Sequence, residues 1–318
     1  MSVLKNTAVA AVLSVTSISA ATNALAVPNR TAVSVAGMDS GNCAPAAPCR
    51  SIAYALTQTT PGGQMLVLNS GGYGPFTITQ SVSIIAPTGV VAAVSAGSGD
   101  GITINAGASD TVLLEGFFID GLGTGTNGIT VKSAQTVSVI GSKITAFVAE
   151  GIMYSPAASA GTTKLALSNT SIYGNGVGSL YVSPSGGMAG YVTASIVAEG
   201  STFARSPVTF DTSNSVGGVQ AVLDNCIIRN IPATLSGIVA NAPTGVATNV
   251  QFLRSTMVTV GTGFSAIGSG AHIAVGSSGL SDVGTIALAT SGGQVGSYGN
   301  NNMAFFNALG PLANISQH

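Results

Sequence analysis

The sequence predicts an all-β chain: a single-stranded right-handed parallel β-helix, a solenoid opened by one short capping helix. Three observations predict it. Charged residues make up only 6% of the chain, against roughly a quarter in an ordinary soluble domain. Apolar runs of strand length, rich in Val and Ile, are closed each time by Gly, Asn, Ser or Asp, the composition of short strands joined by polar turns. These runs also resemble one another.

The resemblance between runs is the strongest of the three. TVLLEGFFIDG, VSVIGSKITAF, LALSNTSIYGN, SIVAEGSTFAR, AVLDNCIIRNI, QFLRSTMVTVG and IAVGSSGLSDVG share one form. Alternating apolar residues lead to a Gly, Asn or polar corner, and an apolar anchor follows. The anchors are Ile119, Ile144, Ile172, Phe203, Ile228, Met257 and Leu280, separated by 25, 28, 31, 25, 29 and 23 residues. A degenerate period in this range is that of a solenoid. The repeats hold no helix-length pattern and no LxxLxL register, and they are too short for propeller blades. Three short strands per turn fit, with turns stacked at the inter-strand spacing of roughly 4.8 Å. Gly63 to Met303 then holds about nine turns on that spacing. Like residues stack inside the rod, and that burial stabilises it at roughly 25 cal/mol per Å².

Residues 1–26 read as a signal peptide. Lys5 supplies the basic start, Ala8 to Ala21 are apolar or small, and Ala24-Leu25-Ala26 is a cleavage site with Thr22-Asn23-Ala24 competing. No later window is long and apolar enough to span a bilayer. Residues 27–62 form a Cys loop and a helix. Cys43 and Cys49, six apart in GNCAPAAPC, should pair in an oxidising compartment. Cys226 is left over inside a β-rich run, as a small buried side chain. Ser51 is a fitting N-cap, and Ile52, Ala55 and Leu56 share one helical face before Pro61-Gly62-Gly63. The helix is placed to cover the first turn, where a rod would otherwise expose strand edges. Residues 63–303 are the rod and 304–318 a tail.

GNCAPAAPCRSIAYAL, TTPGGQMLVLNSGGYGPFTIT and SVSIIAP together resemble the opening of secreted bacterial right-handed β-helix proteins of the pectate-lyase-like superfamily. VGSYGNNNMA, Val295 to Ala304, resembles the Gly-Asn-Asn last turn of that group. The resemblance covers Gly41 to Ala304. It implies the fold and export, and it implies no particular reaction.

Chemistry is harder to find. Lyases of this fold resemble one another in clustered acids that hold Ca²⁺, with an Arg or Lys base. Here the ten acids are scattered. Superposing the repeats puts Glu115, Ile140, Ser168, Glu199, Asp224 and Leu253 in one column. Glu199 and Asp224 become neighbours, with Arg205 and Arg229 a corner away. They are expected to be solvated and not catalytic. Hydrolases of the fold share an NTD motif, an Asp pair, Gly-His-Gly and Arg-x-Lys, and none occurs. His272 lies in a late strand without an acid, and His318 ends the sequence. No cofactor or metal site is expected, and scattered cations argue against nucleic acid. Thr77, Thr103 and Thr193 are read as out of register, which sets aside a water-ordering Thr array. Glycan contact needs exposed aromatic faces. Tyr173, Tyr181 and Tyr191 supply candidates, each expected to point outward. The expected function is a structural or glycan-binding rod for an extracellular polysaccharide. The alternative is a divergent polysaccharide lyase or glycoside hydrolase.

Overall fold

The structure, a computed structural model, describes residues 29–158, 161–243 and 246–315. The expected signal peptide and His318 lie outside these residues. The chain winds into an all-β parallel solenoid of about nine turns. Strand pairing among the described residues is parallel throughout. A 12-stranded sheet makes the first face of the rod, and a 16-stranded sheet bends around its second and third faces. Early turns give each face its own short strand. Late turns run one long strand through the second and third faces, as in Ile227–Asn241, Thr256–Ile267 and Gly279–Thr290.

The anchors stack as the repeat predicts. Ile119 pairs with Ile144, Ile144 with Ile172, Ile172 with Phe203, Phe203 with Ile228, Ile228 with Met257 and Met257 with Leu280. All seven are buried, and each such side chain contributes roughly 1.5–3 kcal/mol.

One corner holds this register. Between the first and second faces the chain turns through a residue in the left-handed region: Gly116, Gly141, Asn169, Gly200, Asn225, Arg254, Ser277 and Gly299, with φ between 47° and 77°. From Gly141 to Ser277 the next residue is Ser, Thr or Cys and points its hydroxyl or thiol inward. Ser142 Oγ accepts from Phe117 N at 3.2 Å and donates to the Ile140 carbonyl at 3.0 Å. Ser201, Ser255 and Ser278 repeat this, accepting from Thr170, Cys226 and Ser255 of the previous turn. Asn301 takes the place of the serine in the last step, accepting from Ser278 N at 2.9 Å. A buried turn leaves backbone N–H groups that must find acceptors, and this hydroxyl column supplies them. Cys226 is a member, its Sγ donating to Asp224 O at 3.3 Å.

Before the rod, Cys43 and Cys49 form a disulfide. Helix α1 spans Ile52–Gln58 and buries Ile52, Ala55 and Leu56. Ser51 Oγ accepts from Tyr54 N at 3.2 Å as N-cap. Asp39 accepts from Arg50 N, Ser51 N and Ser51 Oγ at 2.7–2.8 Å. Desolvation opposes ionisation there, but these bonds outweigh it and hold the carboxyl below its ordinary value.

Two features differ from the sequence reading. Parallel pairing runs past both expected ends of the rod: Arg30–Val33 pairs with Gly63–Val67, Asn302–Ala308 with Gly279–Thr290, and Leu312–Asn314 with Gln294–Ser297. These end strands are too short or too irregular to show a period. Thr77 and Thr103 do share a register, with Thr130 next. The column then continues through Met153 and Tyr181, and Thr193 lies on the first face. The Thr column is thus three turns long and only one residue wide.

Candidate functional site

The acid pair lies where the repeats put it. Glu115, Ile140, Ser168, Glu199, Asp224 and Leu253 form one column of the first face. Glu199 is exposed. Asp224 is ion-paired with Arg254 of the next turn, so its cation is neither Arg205 nor Arg229. The left-handed corner carries Arg254 one residue past the column, directly above the Asp224 carboxylate. Among the described residues, no three His, Cys, Asp or Glu are grouped to hold a metal ion.

The three tyrosines do not share a face. Tyr173 is on the second face, exposed, at one side of a groove of about 530 Å³ with Phe118, Lys143, Glu115 and Val91. Tyr181 is on the third face and only half buried, its hydroxyl donating to Asp211 Oδ2 at 2.9 Å. Burial, then the Asp211 carboxylate, push that phenol up to about 12. Tyr191 precedes the first-face strand Val192–Glu199 and is 67% exposed.

The third face also holds a carboxyl that the repeat comparison passes over. Asp100, Asn127 and Glu150 stack at the start of successive strands. Asn127 Nδ2 donates to Asp100 Oδ1 at 3.0 Å, and Glu150 N donates to Asn127 Oδ1 at 3.1 Å. The signal is present in the sequence as Asp-Gly-Ile, Asn-Gly-Ile and Glu-Gly-Ile at residues 100, 127 and 150. Gly is needed in the middle because a Cβ there would collide with Ile119, Ile144 or Ile172. Glu150 is 7% exposed. Its Oε2 has no hydrogen-bond partner and rests against Gly178, which leaves it room. Burial pushes the carboxyl up to about 7, so it keeps its proton well above the ordinary carboxylate range.

The first face opens into two grooves towards the C-terminal turns. One, of about 560 Å³, is lined by Gln220, Asn249, Gln251, His272, Gln294 and Asn314 above small residues. The other, of about 440 Å³, shares Gln220 and Asn249 and includes Tyr191. Gln220, Asn249, His272 and Gln294 are register partners on four successive turns. The adjacent outward column narrows from Val222 and Gln251 to Ala274, Gly296 and Ala313, and this loss of side-chain volume is what makes the depression.

No protein-family model matches the chain, and no curated protein does. Among solved structures, the crystal structure of pectate lyase Pel9A is similar, with a TM-score of 0.60 and 13% identity over 89% of this chain and 78% of that one. The fold is that of a pectate-lyase-like parallel β-helix. At this identity the likeness concerns the path of the backbone, and residue roles come from this chain's own geometry. In the pectate-lyase-like rod, Tyr191 is the one predicted tyrosine beside the amide-lined grooves. His272 lines the larger groove, and the acid of its own turn, Asp282, lies on the second-face strand Gly279–Thr290.

Proposed function

We propose that this chain is an exported right-handed β-helix that binds an extracellular glycan as a non-catalytic rod. The observation that carries the reading is the pair of grooves on the first face that share Gln220 and Asn249, one lined also by exposed Tyr191 and the other by His272 and Gln294. An aromatic ring offers an apolar face to a sugar while its hydroxyl stays wet. Amides donate and accept at once, matching sugar hydroxyls. Export is supported by residues 1–26 and by the disulfide, which persists in oxidising compartments. Right-handedness follows the strong rule for parallel crossovers. Helix α1 serves as the lid of the first turn, its buried face packed on the core.

The test is a panel of polysaccharides offered to the purified protein without residues 1–26, read for retention and for released products. Retention without products is expected, and Tyr191→Ala should weaken it. Product release would replace this reading with a divergent polysaccharide lyase or glycoside hydrolase. That alternative draws on the likeness to pectate lyase Pel9A and on Glu150, a carboxyl that keeps its proton well above the ordinary carboxylate range, as a general acid must. Against it, the Oε2 atom of Glu150 is closed off from solvent.

A further inference from the structure

We infer that the first-face grooves take an uncharged, extended glycan laid along the rod axis. The inference rests on the glycan-binding reading and names the ligand class. Neither groove is lined by any Lys, Arg, Asp or Glu. An anionic polymer would bring carboxylates onto this surface with no cation to meet them, and stripping their water uncompensated is costly. Hydroxyls need no counter-charge. They need groups that give and accept hydrogen bonds, and Gln220, Asn249, His272 and Gln294 provide one such side chain per turn.

The direction follows from the spacing. Successive turns lie roughly 4.8 Å apart, close to the advance of one ring in an extended glycan. A chain lying along the rod therefore meets a new amide or imidazole with each ring, whereas a chain lying across it meets one or two. The floor at Ala274 gives the depth to seat a ring, and the Ile315 side chain lies over Gly296 and closes the groove at that turn. The second-face groove has a different character: it carries Lys143 and Glu115, and Lys143 makes no ion pair among the described residues.

Affinity is measured on immobilised neutral glucans, galactans and mannans and on polygalacturonate and alginate, at low and high salt. The same measurement is made on Ala274→Phe, which fills the floor, and on exposed Gln294→Ala. Circular dichroism and thermal midpoints verify that both variants fold. Expected are retention on a neutral glycan that salt does not weaken and a loss of about tenfold or more with Ala274→Phe, equivalent to roughly 1.4 kcal/mol. A smaller loss is expected with Gln294→Ala. Affinity for soluble oligomers should rise to about four rings, one per inter-strand step, and then level. Retention only on acidic glycans, weakened by salt and untouched by both variants, overturns this inference and leaves glycan binding standing. No retention on any polymer removes the glycan-binding reading itself.

Discussion

Glu150→Gln should flatten the pH dependence of stability. In the folded chain burial pushes the Glu150 carboxyl from an ordinary value of 4.5 up to about 7. Between these values the folded state binds a proton that the unfolded chain has released, so stability falls as pH rises. The contribution is fully present below about 4.5, declines through the interval, and is absent above about 7. At 1.36 kcal/mol per pH unit the loss is about 3 kcal/mol. A glutamine side chain at this position would keep the neutral shape against Gly178 and have nothing to ionise. Urea unfolding followed by circular dichroism at pH 5 and pH 8 measures the difference. The wild-type chain should be less stable at pH 8 by about 2–3 kcal/mol, and the variant nearly equal at both. Asp39, held below its ordinary value, acts at lower pH and does not confound the interval. Equal pH slopes in wild type and variant would refute the claim that burial raises the Glu150 carboxyl.

Other expectations follow from the same geometry. Ser255→Ala leaves Cys226 N–H without its acceptor and should cost about 1–3 kcal/mol in urea unfolding. Cys226→Ser, which restores the hydroxyl of its column, should cost less than about 1 kcal/mol by the same reasoning. Reducing the Cys43–Cys49 disulfide, which closes a short loop, should lower stability by about 2 kcal/mol, read as a drop in thermal midpoint with reductant. Replacing Glu199 by Gln together with Asp224 by Asn should leave glycan retention unchanged, and any cleavage unchanged too. Loss of cleavage with the fold intact by circular dichroism would make that pair catalytic.

The first and second faces are legible in the sequence because a two-residue corner joins them. Gly141-Ser142 or Asn225-Cys226 adds no variable length, so superposing Ile119 through Leu280 aligns both faces and places Glu199 beside Asp224. The third face is not legible by that route. Its first-column partner lies ten residues past the second-face anchor from Ile119 to Ile129, yet five from Phe203 to Val208. Variable loops of this kind break the alignment, and with it go the Thr77–Thr103 register and the Asp100–Asn127–Glu150 column. The tyrosines look like one patch from nearness in sequence, but a solenoid turn sends residues a few positions apart to different faces. The amide column is within reach, since the same superposition aligns Gln220, Asn249 and His272. It gives no signal of its own because amides mark no reaction.

Side-chain footprinting of the protein with and without a bound neutral oligosaccharide tests the central claim most directly. Protection is expected at Tyr191, at the entry to the first face, and at His272 on it, with Tyr173 and Tyr181 labelled equally in both states. Protection at Tyr181 in place of Tyr191 and His272 would move the ligand to the face of Glu150 and Asp211 and contradict the account.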